Sequence, residues 1–420
     1  MRRPQCCAAV PRSAFYTMNT VETSALEQPA RPMWAPTPSE NVEASPPHFG
    51  FIDALRGVAI LAVIMVHVTQ QISGGPMMRF GPKGAFGVQL FFVISAFTLF
   101  WSLRSRMGIE RRPVAAYFVR RLFRIAPLFW IATLFYAYHP GYWRAMFAPN
   151  GVGAKQILAT VLFVHGWSPL TCNAVVPGGW SIATEATFYL FVPFLFQRVR
   201  TLTNALWFAL ISAVLVSIFA PIATTWLCRL YPASWKDLIA FFVDTSFPSQ
   251  VPVFCLGMVL YFIIINRMPP ARNSPHPSTV LKDRRMALLL TMLAPALFLS
   301  PDLPEQVTWA LAFVALSTAL AIHPFRVVVN PVTRFFGTIS FSAYIWHFWI
   351  IQVIAIPLFS LMGLKSFSDS GRGTLQFLAL YPIVIVLTAA VSFASYHLIE
   401  APGQNLGKAV IDYFNWGRNT

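Results

Sequence analysis

The sequence predicts an all-α fold, a polytopic transmembrane helical bundle of about ten spans with one further short helix that is re-entrant or interfacial. Composition is the first observation behind this prediction: 56% of the 420 residues are hydrophobic and 11% are charged, whereas soluble domains carry about 25% charged residues. The second is a mean hydropathy of +0.59. The third is the recurrence of apolar stretches close to the ~20 residues that cross a bilayer as a helix.

The apolar stretches place the predicted spans along the chain. They lie at 51–72, 86–103, 118–138, 180–197, 203–223, 241–265, 286–300, 306–323, 337–360 and 375–398. A further stretch, 155–166, has only about twelve residues, which suits a re-entrant or interfacial helix better than a full crossing. The predicted membrane domain therefore covers 50–405. It lies between a polar, Pro-rich tail at 1–49 that is predicted to be disordered and a short C-terminal tail at 406–420.

Lysine and arginine residues orient the spans, because cytoplasmic loops are enriched in them. Two strongly basic segments, 104–124 and 266–285, both fall in the cytoplasm when ten helices cross and the N-terminus is inside. With eleven crossings the second segment would lie outside, so we predict ten spans and two cytoplasmic termini. The net charge of +16 is then explained by loop charge and anionic headgroups. Membrane lipid, and not nucleic acid, is the predicted partner.

Arg56 and His67 are the first ionisable residues of note inside a predicted span, where a charge costs about 2.5–3.5 kcal/mol. A helix rises 1.5 Å per residue, so the two lie roughly 16 Å apart, Arg56 near the cytoplasmic surface and His67 near the middle. They share nearly the same helix face. Alone, Arg56 is equally explained as a snorkelling anchor and His67 as a packing histidine. Their common face favours a functional pair.

Arg120 and Arg124 stand at the cytoplasmic end of the third predicted span. Residues four apart share a helix face, and two planar guanidinium groups so placed are suited to clamping phosphate. Ordinary positive-inside charge explains them equally well.

The fourth span begins with "GGWSIATEATFYL", which contains Trp180, Ser181 and Glu185. A carboxylate within an apolar helix is harder to dismiss than an arginine at its end, because a short acidic side chain cannot reach far towards water. Glu185 is therefore predicted to orient a hydroxyl or to pair with a histidine. A purely structural pair with an arginine is the alternative.

The ninth span contains "ISFSAYIWHFW", in which Ser340, Tyr344 and His347 recur at helical spacing and form one polar stripe. Such a stripe is predicted to line a binding site. Interhelical hydrogen bonding, which serine and histidine often provide in membrane bundles, is the structural alternative.

Taken with their order, these motifs resemble the acyltransferase-3 family of integral membrane O-acyltransferases, whose hallmark is an arginine, ten residues and a histidine in the first helix. "DALRGVAILAVIMVH" (53–67) matches this hallmark. Five further blocks match in order: "GVQLFFVISAF" (87–97), "RRLFRIAPLFW" (120–130), "WSIATEATFYL" (180–190), "GTISFSAYIWH" (337–347) and "SYHLIEAP" (395–402).

The chain departs from the family pattern at three points. The family usually has Ser-Gly where this chain has Ser95 and Ala96, so the backbone is expected to approach its neighbour less closely there. The family block at 180–190 often has two adjacent acids, whereas Ala186 follows Glu185 here and leaves one candidate carboxylate. Many members carry an appended hydrolase-like domain, and this chain is expected to be an acyltransferase-only member.

The resemblance implies transfer of an acyl group, acetyl in the first place, from cytoplasmic acetyl-CoA or another acyl-CoA to a hydroxyl of a cell-envelope or exported glycan at a bacterial inner membrane. The residues assigned to the reaction itself are His67, Arg56 and Glu185. The residues assigned to the donor are Arg56, Arg120 and Arg124. The residues assigned to the acceptor are Trp180, Ser181, Ser340, Tyr344 and His347.

A second class of function is consistent with the same residues, since buried Arg, Glu and His also occur in proton-coupled transporters and flippases. The position of the arginines at the predicted cytoplasmic mouth favours the acyltransferase, because carriers place such charges near the midplane. No metal is predicted. The oligomeric state is left open, a dimer included.

Overall fold

The computed structural model describes residues 49–72, 77–139, 141, 144–266, 304–361 and 373–417. It confirms the predicted all-α helical bundle. The α-helices, named α1 to α16 in chain order, are Gly50–Thr69, Met77–Phe80, Gly87–Arg104, Pro113–Tyr138, Arg144–Phe147, Ala154–Val161, Gly179–Arg198, Leu202–Leu230, Lys236–Thr245, Phe247–Ile265, Glu305–Ile322, Pro331–Thr338, Ser340–Trp349, Ile356–Leu361, Gly373–Ser395 and Ala401–Tyr413. Short 3₁₀ segments occupy Gly81–Phe86, His165–Trp167 and Ala233–Trp235, and π-helical segments occupy Ile350–Ala355 and Tyr396–Glu400.

Seven stretches of the described chain are long and apolar enough to cross a membrane. They are Gly50–Thr69, Gly81–Arg104, Leu202–Leu230, Ala233–Ile265, Glu305–Ile322, Ser340–Leu358 and Gly373–Tyr413. The spans predicted at 118–138 and 180–197 are helical too, as α4 and α7, but arginines in α4 and polar residues in α7 lower their hydropathy. The span predicted at 286–300 lies outside the described residues. The count of ten and the cytoplasmic termini stay predictions.

The short helix predicted at 155–166 corresponds to α6, Ala154–Val161, which is far shorter than a membrane span. The chain then enters a stretch without regular α-helix, and residues 171–179 are all buried. Irregular backbone inside a membrane protein is tolerated where protein or a cavity surrounds it. This buried stretch delivers the chain to the first turn of α7, where Ser181 lies.

Helix α1 lies at the centre of the bundle, in contact with α3, α12, α13 and α15. Its closest neighbour is α12, and two glycines make the approach feasible. A Cβ atom on Gly57 would stand 1.9 Å from the carbonyl oxygen of Thr333, and one on Gly337 would stand 1.9 Å from that of Asp53. Small residues allow membrane helices to pack backbone against backbone. This contact fixes the helix that carries Arg56 and His67.

Ala96 on α3 packs against α10, at the point where the family pattern has glycine. Here the facing helix supplies the glycine: a Cβ atom on Gly257 would lie 2.6 Å from the Cβ of Ala96 and 2.5 Å from the carbonyl oxygen of Val93. The two helices therefore approach closely here despite Ala96, contrary to the expectation, because the small residue lies on α10.

The last helix, α16, packs along α4, so that Gly403 and Gly407 meet Pro127 and Phe123. Residues 401–413 are helical, so the boundary predicted at 405 between domain and tail falls inside α16. The π-helical turn that precedes α16 carries Glu400 into the interior, where it is 3% exposed.

Candidate active site

A polar cavity opens between α1, α3, α4, α7 and α13. The space between its walls is about 570 Å³, part of it open to the surroundings. Its lining consists of Arg56, Val88, Phe91, Phe92, Ser95, Arg124, Ile125, Ser181, Ile182, Glu185, Tyr189, Ser340, Phe341 and Tyr344. Six residues chosen from the sequence therefore converge on one cavity, although they come from four helices.

Glu185 is the carboxylate of this cavity. The hydroxyl of Ser95 on α3 donates a hydrogen bond to its Oε1 atom. Arg56 on α1 lies within electrostatic range of Glu185, of Arg124 and of Asp53. The carboxylates thus offset part of the charge of two arginines, and an unpaired buried guanidinium would be costly. An anionic ligand would find two arginines already held in place.

Tyr344 and Ser181 form a further part of the cavity wall. The Ser181 hydroxyl donates to the Tyr344 hydroxyl at 2.7 Å, and Tyr344 donates to the carbonyl oxygen of Gly178 at 3.0 Å. Gly178 has φ +74°, a left-handed conformation in which a side chain is strained, and a Cβ atom there would lie 2.9 Å from the Tyr344 oxygen. The start of α7 is therefore shaped around these two hydroxyl groups.

His165 fixes the buried stretch that leads to Gly178 and Gly179. Its Nε2 atom donates to the carbonyl oxygen of Gly179 at 2.9 Å, and its ring stacks on Phe129 at 5.6 Å. Burial lowers the pKa of His165 to about 4, so the imidazole is neutral at physiological pH. Neutral His165 is a structural support of the site, and sequence reasoning did not single it out.

His67 stands apart from the polar cavity, beside His347. Their ring centroids are 5.3 Å apart, and the ring of Phe348 lies 4.2 Å from each of them. The Nδ1 atom of His67 is 3.1 Å from Oε1 of Gln70. His347 follows Tyr344 by one turn of α13, with the two rings 5.9 Å apart. The polar stripe of α13 therefore runs from the cavity to His67, with Ser340 and Tyr344 in the cavity wall and His347 at the far end.

Arg120 and Trp180, both assigned to ligands from the sequence, have other contacts. Arg120 makes two hydrogen bonds to the carboxylate of Glu110, at 2.9 Å and 2.8 Å. Trp180 is half-buried, edge-on to Phe92 and to Phe241. Among the described residues, neither belongs to the cavity lining, and their predicted roles stay predictions.

Arg121 and Glu400 are residues that sequence reasoning missed. The Arg121 guanidinium lies 5.9 Å from the ring centroid of Tyr117 and 6.0 Å from that of Tyr189, a cation–π arrangement on the wall behind Glu185. Arg124, which follows Arg121 by three residues on α4, lines the cavity. Arg120 had been preferred for its four-residue spacing, which does not show which side of α4 faces the bundle.

Glu400 is a second buried carboxylate beside the arginines. Its Oε2 atom accepts a hydrogen bond from the Ser342 hydroxyl at 3.0 Å, and it lies within electrostatic range of Arg124 and Arg56. The argument applied to Glu185, that an acid in an apolar helix requires a reason, would have found it in the sequence. The two arginines are thus balanced by one carboxylate from α7 and one from the turn before α16.

The comparison with protein families decides the relationship. The model of the acyltransferase-3 family, an acyltransferase domain, matches residues 49–397. This chain belongs to the acyltransferase-3 family. It is an integral membrane protein. Six of the seven apolar stretches that are long enough to cross a membrane lie within the matched residues, and the seventh begins there.

Relatives of this acyltransferase-3 chain occur in Staphylococcus aureus. The protein named "Putative O-acetyltransferase SACOL0978" (strain COL) is 24% identical over 401 residues, which cover 87% of this chain and 58% of the relative. The protein named O-acetyltransferase OatA (strain NCTC 8325 / PS 47) is 24% identical over 397 residues, with 86% and 58% covered. The chain thus spans less than two thirds of the length of the curated relatives it matches. No solved structure matches it.

Proposed function

We propose that this chain is a membrane O-acyltransferase that moves an acyl group, acetyl in the first place, from cytoplasmic acyl-CoA to a hydroxyl of a cell-envelope or exported glycan. The proposed location is the bacterial inner membrane. Family membership supports the reaction class, and the names of the S. aureus relatives support O-acetyl transfer. The observation that carries the proposal is the polar cavity, which combines two arginines, a carboxylate and a pair of hydroxyl groups beside a histidine pair.

The donor end of the proposed site is the arginine end. Acyl-CoA carries several phosphate groups, and guanidinium groups bind phosphate through paired hydrogen bonds. Arg56 and Arg124 both line the cavity. The nearby carboxylates of Glu185 and Glu400 offset part of the positive charge of these arginines and leave room in the cavity for a ligand. A donor bound there would extend its acyl thioester along α1 and α13 towards the histidines.

The transfer step requires one proton acceptor. As the acceptor oxygen forms its bond to the acyl carbon, its O–H bond breaks and the C–S bond of the thioester breaks, so the proton must leave and the CoA sulfur must receive one. His67 is suited to take and return this proton, because the lone-pair nitrogen of an imidazole accepts a proton and the resulting imidazolium releases it. The hydroxyl hydrogens of Ser181 and Tyr344 are donated to Tyr344 and to Gly178 in this structure. To stabilise the oxygen on which negative charge develops, the Ser181 hydrogen would turn from Tyr344 to that oxygen. The equivalent scheme with a transient acyl-imidazole on His67 uses the same groups.

A transfer assay with purified protein tests the proposed function. Radiolabelled acetyl-CoA is supplied with envelope glycan extract, and we expect label in the glycan fraction together with release of free CoA. Mass spectrometry of the glycans from a deletion strain should show loss of the same acetyl mass. Absence of label in every envelope extract, or glycan movement across proteoliposomes without label, would favour the transporter function.

Arg124→Ala is expected to raise KM for acetyl-CoA about 10- to 100-fold, the loss of one charge-assisted hydrogen bond of about 1.5–3 kcal/mol. Arg120→Ala should raise it much less, because Arg120 is already bound to Glu110. Steady-state kinetics at varied acetyl-CoA measures both. Arg200→Ala, which removes an exposed arginine at the end of α7, is the matched control. An equal rise for Arg120 and Arg124 would instead show that both hold the donor.

A further inference from the structure

The neighbours of His347 show which of its two ring nitrogens carries the hydrogen. Its Nδ1 atom lies 3.0 Å from the carbonyl oxygen of Ala343. A carbonyl oxygen only accepts hydrogen bonds, so Nδ1 carries the hydrogen and Nε2 has the lone pair. The side chain is fully buried, and among the described residues its Nε2 atom has no hydrogen-bond partner.

An unpaired acceptor in a protein interior costs roughly 1–3 kcal/mol and requires an explanation. The described titratable group that acts on His347 is His67, whose ring centroid is 5.3 Å away. At that centroid spacing two imidazoles can form an N–H···N hydrogen bond of ordinary length when a nitrogen of one ring points at a nitrogen of the other. Among the described residues the two rings do not form this bond as they stand. The bond requires a hydrogen on one of the two facing nitrogens, which the neutral pair does not supply while each Nδ1 is the protonated atom.

The surroundings hold the two rings in this arrangement. Gln70 accepts from Nδ1 of His67, and Ala343 accepts from Nδ1 of His347. Phe348 packs against both rings at 4.2 Å. Each imidazole therefore has a second nitrogen whose lone pair can accept a proton. The proposed reaction in the neighbouring cavity releases such a proton.

We propose that His347 is a positioning residue for His67, whose Nε2 lone pair accepts the N–H of the imidazolium that His67 becomes during transfer. This inference rests on the proposed function. The acceptor O–H bond breaks and its proton passes to the free nitrogen of His67. Once the acceptor oxygen has bonded to the acyl carbon, this N–H turns from that oxygen and donates an N–H···N hydrogen bond to His347. The proton then leaves His67 for the CoA sulfur as the C–S bond breaks. His347 itself gains and loses no atom.

Two substitutions separate this role from simple packing. His347→Phe keeps an aromatic ring beside Phe348 but removes the acceptor, and we expect kcat to fall about 10- to 100-fold with KM for acetyl-CoA unchanged. His347→Gln provides an amide oxygen as acceptor and should recover part of kcat, although it fills the space less well. A structural role predicts the reverse order, with the Phe variant closer to wild type. Equal kcat for wild type and His347→Phe, or no recovery in His347→Gln, would overturn the inference.

A second measurement does not depend on turnover. Solid-state NMR of membranes containing ¹⁵N-histidine-labelled protein, acidified until the pair holds one extra proton, should show a coupling between one nitrogen of His67 and one of His347. His67→Gln identifies the signal by its loss. Absence of the coupling would overturn the inference even in an active enzyme. Wild-type protein that transfers no acyl group but shows the coupling would count against the proposed function and leave the histidine pair supported.

Discussion

His67→Ala is expected to lower acyl transfer by about 10²- to 10⁴-fold, the range that a general base contributes. His67 lies beside the polar cavity, its Nδ1 atom is held by Gln70, and its other nitrogen has a lone pair that can take a proton. The loss should appear in kcat, because Arg56, which is assigned to the donor, lies about three helical turns away along α1. Transfer of labelled acetyl groups by equal amounts of folded protein measures it.

The control is His139→Ala, which removes an exposed histidine at the end of α4. It should transfer acetyl groups at the wild-type rate. If His67 carries the acyl group covalently, rapid quenching of wild type with labelled donor and no acceptor should leave label on a peptide containing His67, and His67→Ala should leave none. Wild-type rates in His67→Ala would exclude both the base and the carrier role.

Much of the architecture could be predicted from the sequence because the membrane imposes simple rules. Length and hydropathy located the helices, since a bilayer requires ~20 apolar residues in each. The cost of burying charge singled out Arg56 and Glu185, and helical spacing of polar residues singled out Tyr344, before any geometry was known. All three line one cavity. These inferences depend on composition and on positions along one helix, which a sequence contains directly.

The sequence does not show how each helix is rotated about its own axis. Arg120 and Arg121 are adjacent and chemically identical, yet Arg120 binds Glu110 while Arg121 lies between Tyr117 and Tyr189. The choice depends on which side of α4 faces α7, and that depends on packing against α16. Glu400 was missed for a related reason, since its entry into the interior depends on the π-helical turn at Tyr396–Glu400.

The contact between His67 and His347, which lie far apart in the sequence, could not be predicted from the sequence either. His67 and His347 were chosen independently, one from the first span and one from the ninth. Their contact follows from the way α1 and α13 pack together. A polar stripe on α13 predicted a binding surface, but only the structure divides it into a cavity wall and a partner for His67.

Gly57→Ala is expected to prevent α1 and α12 from packing as closely as they do. The new Cβ atom would lie 1.9 Å from the carbonyl oxygen of Thr333, and this backbone atom cannot move without the helix. Overpacking costs about 1–3 kcal/mol when side chains adjust and more when backbone must shift. We expect a lower yield of monodisperse protein and a lower Tm in detergent.

Gly337→Ala should have the same effect from the other side, because its Cβ atom would lie 1.9 Å from the Asp53 carbonyl oxygen. Both methyl groups separate the same two helices, so the double variant should lose less than the sum of the single losses. Gly153→Ala is the control, since its Cβ atom meets Gln156 at an ordinary 3.6 Å. A wild-type Tm for Gly57→Ala, or fully additive losses, would contradict a direct backbone contact at this crossing. Because that contact also sets where Arg56 and His67 stand, a variant that folds with α1 displaced should lose transfer activity even when donor binding persists.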